Sequence, residues 1–225
     1  MADPHQSIIA KAAKASLLPL GFVRKGQSRL WIKDCGIWVS IIDFQPSQWS
    51  KGSYLNVAAC WLWSPPNQKN EYVPSFDFGG RCREHVKFQD EAQFSLAMSE
   101  LAALAASESL RIALELRSIE AAADALAARE QSLQISGRGR HWGAFHSGMA
   151  SALAGRLSEA RAMFESILET AAPQGSVLHP AAERWLRLAG DTTRFRREVL
   201  LEVNRQRAFF KLPGLEGMPI QFASN

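Results

Sequence analysis

Ile41-Ile42-Asp43-Phe44-Gln45-Pro46-Ser47-Gln48-Trp49-Ser50 reads as the end of a strand running into a polar turn, and Tyr54 to Trp63 then resumes β-type sequence. Upstream, Ile37, Val39 and Ile41 oppose Trp38, Ser40, Ile42 and Phe44, so both faces of the first strand are largely apolar and a central place in a sheet is expected. Pro46 has no N–H to give to a ladder and ends that strand, while Ser64-Pro65-Pro66-Asn67 breaks the next one. Asp34-Cys35-Gly36 supplies a tight turn on the other side. Before it, Phe22 to Lys33 alternates loosely, with Leu30 and Ile32 on one face, Arg29, Trp31 and Lys33 on the other, and a turn or bulge near Gly26. The expectation is a three-stranded antiparallel meander, extended by a short strand within Phe76–Phe88.

Helical periodicity brackets this sheet. Ile8, Ile9, Ala12, Ala13, Ala15 and Leu17 recur at helical spacing before Pro19 and Gly21, which predicts an amphipathic helix over 5–18. From Glu91 onward alanine becomes abundant and Phe94, Ala97, Met98, Leu101, Leu104 and Ala105 follow i, i+3, i+4, i+7 spacing. Helices are expected over most of 90–132, with a weak point at Ser107–Ser109. Gly137-Arg138-Gly139-Arg140 reads as a loop, followed by a helix with Trp142, Phe145, Met149 and Leu153 on one face up to Gly155. The next helix carries Ala160, Met163, Phe164, Ile167, Leu168 and Ala171, and Pro173 with Gly175 closes it. Two more are expected at 180–189 and 192–210, the last with Asp191 as N-cap and Phe195, Val199, Val203 and Phe210 facing inward.

Charge and composition divide the chain in the same place. Residues 1–90 hold 11 Lys/Arg against 7 Asp/Glu, whereas residues 91–225 hold 15 against 15, so the whole net charge of +4 sits in the first part. Five of the seven Trp also fall before residue 64. We therefore expect an α+β domain over 1–90, a helical region over 91–212 that is a hairpin stack or a bundle, and an irregular tail over 213–225. Hydrophobic residues at 47% and charged residues at 21% exclude wholesale disorder. Cys35, Cys60 and Cys82 form no C-x-x-C pair, which fits a reducing cytoplasm. Asp3 and Pro4 precede any apolar run, unlike a signal peptide, and no apolar run approaches the ~18 residues of a membrane span.

Two resemblances follow from particular residues. Leu18-Pro19-Leu20-Gly21-Phe22-Val23-Arg24-Lys25-Gly26, then Val39 to Ser47 with its Asp43-Phe44-Gln45-x-Ser47 core, then Tyr54-Leu55-Asn56-Val57 make residues 15–65 resemble the mainly bacterial domain of unknown function 4304 family. That resemblance implies an α+β domain and no established activity. Residues 141–174 look like a single tetratricopeptide-type helix pair, through Gly148, Gly155, Leu157, Ala160 and Phe164. Ala144 and Ser147 stand where that pattern expects Trp and Leu, and no second clear copy is visible.

The candidate chemistry is sparse. Arg24, Lys25, Arg29 and Lys33 with Trp31, and Lys51 with Trp49, form the basic-aromatic pattern that nucleic-acid-binding sheets use, although a solvated sheet face would look the same. Gln45, Ser47 and Asn56 are polar residues beside strands, where hydrogen bonding to a turn is the default role. Arg81-Cys82-Arg83-Glu84-His85 concentrates reactive groups: Cys82 and His85 have the spacing of half a zinc site, and cationic neighbours could activate the thiol. Partner ligands are missing nearby, and a structural role is favoured. His141 and His146 lie five apart and are expected on different helix faces, at a solvent edge or in packing. No phosphate loop, nucleophile elbow, dinucleotide fingerprint or metal motif appears, so no cofactor and no catalytic residue is assigned. The expected function is a non-catalytic module that binds another protein through helical hairpins and an aromatic sheet edge. Nucleic-acid association through the basic sheet is the alternative, and an enzyme centred on Arg81–His85 comes third. No membrane partner is expected.

Overall fold

The computed structural model of the chain describes residues 4–67, 69, 71, 73–136, 140–170 and 176–218. The chain folds into two compact units that interleave along the sequence: Met1–Cys60 with Phe78–Leu114, and Trp61–Asp77 with Glu115–Ala223. The change in composition near residue 90 therefore falls inside the first unit, which keeps the first long helix.

In the first unit, α1 (Pro4–Leu17) buries His5, Ile9, Ala13 and Leu17, a single row at four-residue spacing. A 3-10 turn at Leu18–Leu20 ends on Gly21 and delivers the chain to a five-stranded antiparallel sheet in the order β1-β2-β3-β4-β5. The strands are β1 (Val23–Arg24), β2 (Leu30–Asp34), β3 (Trp38–Asp43), β4 (Gly52–Trp61) and β5 (Phe78–Lys87). The expected interruption at Gly26 is a full hairpin turn: Val23 pairs with Ile32, Lys25 N–H donates to Leu30 O at 2.9 Å, and the Arg24 side chain donates to the Gln27 and Ser28 carbonyls. The Asp34–Gly36 turn forms as read, with Gly36 N–H donating to Asp34 Oδ1 at 2.9 Å. Every residue from Trp38 to Ile42 is buried, as a central strand requires.

Strand β5 is ten residues long rather than short. Its sequence, rich in Gly and charge, hides the β signal because it is an edge strand whose exposed residues, Arg81, Arg83, Glu84 and Lys87, do not alternate, and the β4–β5 register shifts twice between Ser53 and Asn56. Gly52 begins β4 at φ 151°, where an added Cβ would meet the Val86 carbonyl oxygen and lie 2.5 Å from His85 Nε2. Only glycine lets the two strands approach here.

Helix α2 (Glu91–Glu115) runs unbroken for 25 residues through the expected weak point. Ser107 and Ser109 hydroxyls donate to the Leu104 and Ala106 carbonyls, so the serines bond back into the helix rather than ending it.

The second unit is built from α3 (Ile119–Ser136), α4 (Arg140–Leu153), α5 (Leu157–Leu168), α6 (Leu178–Leu188) and α7 (Thr192–Phe209). Helices α4 and α5 form a hairpin. Gly155 at φ 80° closes α4 in a Schellman motif, with Arg156 N–H donating to Ser151 O at 2.8 Å and Gly155 N–H to Ala152 O at 3.1 Å. Gly148 then leaves room for Phe164, whose Cε1 would stand 2.9 Å from a Cβ there. Asp191 caps α7 by accepting from Arg194 N–H at 3.0 Å, and Phe195, Val199, Val203 and Phe210 are buried as read. Two arginines of α7 pair with its glutamates, Arg197 with Glu198 and Arg205 with Glu202, while Arg196 donates to the Leu153 carbonyl and Arg207 to that of Pro213. The Gly137-Arg138-Gly139 segment, Ala171, Pro173, Gly175 and the tail from Pro219 lie outside the described residues.

Candidate functional site

The second unit holds a cavity of about 920 Å³, within the size range of small-molecule sites. Its walls are the Ser64–Asp77 stretch, Leu126 and Arg129 from α3, the beginning of α4, and Ser176–His179 at the start of α6.

The first wall is held by buried aromatic rings. Trp61 and Trp63 lie two residues apart, are both fully buried, and stack with centroids 4.3 Å apart and planes at 5°. The Trp63 indole Nε1–H donates to His146 Nδ1 at 3.1 Å. An indole nitrogen can only donate, so His146 Nδ1 is unprotonated and the ring proton sits on Nε2. That nitrogen faces Asp77 Oδ1 at 3.4 Å, and Asp77 Oδ2 accepts from Trp61 N–H at 2.8 Å and from the Ser75 hydroxyl at 2.9 Å. One histidine of α4 therefore ties together both ends of the 61–77 stretch. Burial alone would push the Asp77 carboxyl up, but His146, Trp61 N–H and Ser75 outweigh it and hold the carboxyl below the ordinary carboxylate range. His146, held by Trp63 on one side and Asp77 on the other, is a rigid support of this wall.

The remaining walls are open to solvent. Trp142 stacks on the His146 ring at 5.8 Å and is 44% exposed, and Phe76 at 42% and Val73 at 61% present further apolar surface to the same cavity. His179 is held in place by the Thr170 carbonyl at 2.9 Å from its Nε2, and its ring lies 6.4 Å from that of His141. Arg129 is half buried, and desolvation lowers its pKa against the opposing pull of Asp77 and Glu115. Ser64 is 9% exposed, and among the described residues its hydroxyl has no hydrogen-bond partner, although its carbonyl accepts from Gln206 Nε2.

The site residues read from sequence lie in the first unit and are only partly gathered. Gln45 Oε1 accepts from Asn56 Nδ2 at 2.9 Å and from Arg81 Nη2 at 3.0 Å, and the Arg81 guanidinium lies 4.2 Å over the Tyr54 ring. Trp31 is 3% exposed and cannot stack on a base, because its face of β2 is covered by the core. Arg29 turns inward, donating to Gln6 Oε1 and the Gly52 carbonyl at 3.0 Å each. Arg24 and Lys25 form the β1–β2 turn, Ser47 accepts from Trp49 N–H at 3.1 Å, and Trp49 itself is 91% exposed. Arg83 is exposed on the edge strand. Beside it, burial and Glu108 raise the Cys82 thiol pKa, the reverse of activation, and no three His, Cys, Asp or Glu are grouped for a metal among the described residues.

The sequence reading missed His146, Asp77, Trp142 and Arg129 as one group. His141 and His146 both reach the cavity despite their spacing, since it wraps around the start of α4. The one available signal was Trp142, which shares an apolar row with Phe145, Met149 and Leu153 yet is the only exposed member.

Fold and cavity together define an α+β protein with a ligand-sized site in its helical unit. Comparison of the chain with protein-family models, with curated proteins and with solved structures finds no match. Among the described residues, no helix is long and apolar enough to cross a membrane.

Proposed function

We propose that this protein is a non-catalytic binding module whose helical unit receives a small organic molecule in the cavity beside Trp142. The observation that supports this most is the Trp142 ring, which packs on the His146 ring that Trp63 holds in place and stands 44% exposed at the cavity. A preformed apolar pocket with a few polar groups is the usual form of a binding site. Ligand-observed NMR of the full chain against a library of aromatic fragments tests it. Saturable hits lost in Trp142→Ala are expected; hits indifferent to Trp142→Ala would defeat the reading.

Recognition of another protein is the second reading, favoured by Trp49, a large aromatic left 91% exposed on the β3–β4 connection. A stoichiometric partner from nuclease-treated lysate that is lost with Trp49→Ala supports it. Capture unaffected by that substitution removes Trp49 from the account.

A further inference from the structure

We propose that the outer face of α2 is an interface between two copies of this chain, packed antiparallel across a two-fold axis at Ala103. This face belongs to the first unit, whereas the cavity lies in the second. It carries almost no charge: of the eight residues exposed between Ala92 and Leu110, only Glu100 is charged. A surface helix ordinarily turns charged residues to water, as α7 does with Arg194, Arg196, Arg197 and Arg205. On α2 the large exposed side chains are instead Leu96 and Leu114, each 66% exposed, and Leu110 at 49%.

The order of these residues commits the occupant to a second copy. At about 100° per residue, Ala92, Leu96, Ser99, Ala103, Ser107, Leu110 and Leu114 fall within about 40° of one line along the helix, and all seven are exposed. Counting outward from Ala103, a serine stands four residues away on each side and a leucine seven, and Ala92 and Leu114 stand eleven away. The row thus reads nearly the same in both directions. A two-fold axis requires this, because each patch must fit itself after rotation, whereas an unrelated partner does not. Leu96 of each copy then meets Leu110 of the other. The serine hydroxyls do not call for water: Ser99 donates to the Ser95 carbonyl at 2.9 Å and Ser107 to that of Leu104 at 3.0 Å. Small side chains at the centre let two helix axes approach to about 8 Å, and the leucines close the contact on either side.

Sedimentation velocity of the full chain from about 1 to about 500 µM tests this: one helix pair lies at the low end of specific interfaces, so a reversible dimer dissociating at about 10 µM is expected. Ala103→Glu puts a good helix former at an exposed position but sets like charges together at the axis. It is expected to leave only monomer throughout that range, with unchanged far-UV circular dichroism. Ala103→Cys in a Cys82→Ser background is expected to form an intermolecular disulfide on mild oxidation, since Cys35 and Cys60 are buried and the two new thiols meet at the axis. Leu114→Cys in the same background is expected not to, because its two copies stand about 33 Å apart in the antiparallel pair. A monomer at every concentration, or a dimer indifferent to Ala103→Glu, would overturn the proposal. Cross-linking through Leu114→Cys in preference to Ala103→Cys would show a parallel pair and overturn it as well.

Discussion

The two units solve the same problem, a buried carboxylate, in different ways. In the sheet unit, burial raises the Asp43 pKa, and the Asn56 hydrogen bond and nearby Arg29 offset this only in part. In the helical unit, Asp77 is buried at least as deeply, with 8% of its side chain exposed, yet the adjoining His146, the Trp61 N–H and the Ser75 hydroxyl hold its carboxyl below the ordinary range. The difference lies in the His146 ring and the two donors that the fold sets against the Asp77 carboxylate. Asp77 is thus part of the scaffold of a wall, whereas Asp43 is tolerated at a strand end.

The sharpest way to break the contrast is His146→Ala. It strands the Trp63 indole N–H, removes the ring that faces the Asp77 carboxylate and opens a void, and a loss of about 3–5 kcal/mol is expected. Hydrogen exchange should show the loss in peptides from Trp61–Asp77 and α3 to α7, with β2 and β3 still protected. Equal deprotection of both units would show that the wall is not a local device.

Asp77→Asn follows, with an expected loss of about 1.5–3 kcal/mol at neutral pH, because charge-assisted hydrogen bonds are weakened. The pH dependence has a definite sign. Asp77, with its folded pKa depressed, contributes stability that is complete above about pH 4, the ordinary carboxylate value, and is lost as pH falls through its lower folded pKa. Asp43 runs the opposite way: its raised pKa is a penalty above that value, and the penalty disappears on acidification. Denaturant titrations from pH 7 to pH 2 should therefore show an acid loss that shrinks in Asp77→Asn and persists in Asp43→Asn.

Packing of the helical hairpin gives the next effect. Gly148→Val sets side-chain carbons against the buried Phe164 ring, and about 1–3 kcal/mol of overpacking is expected in thermal unfolding. An unchanged midpoint would mean that the ring moves freely. The smallest change is Asp43→Asn, expected within about 1 kcal/mol of the wild type at neutral pH, since a group whose charged form is disfavoured loses little by becoming neutral. A loss as large as that of Asp77→Asn would erase the distinction between the two carboxylates.

Much of the fold was legible in local pattern. The apolar run over Trp38–Ile42, Pro46, the Asp34–Gly36 turn and the Asp191 cap act within a few residues, and the structure places them as read. Strand β5 was less legible because an edge strand need not alternate, and α2 crossed its serines because their hydroxyls bond to the helix backbone. The cavity was not legible: Ser64, Asp77, Arg129, His146 and His179 span more than a hundred residues, and none of them belongs to a motif.

The sequence by itself determined the α+β class, the central strand, the first and last helices, and the turns beside them, since each depends on short-range sterics and hydrophobic period. Tertiary structure alone decided that one histidine would meet the 61–77 stretch at both ends, and that Trp142 of the same helix would stand exposed at the cavity. Those outcomes depend on which groups from distant segments meet out of water, and spacing along the chain does not encode such meetings.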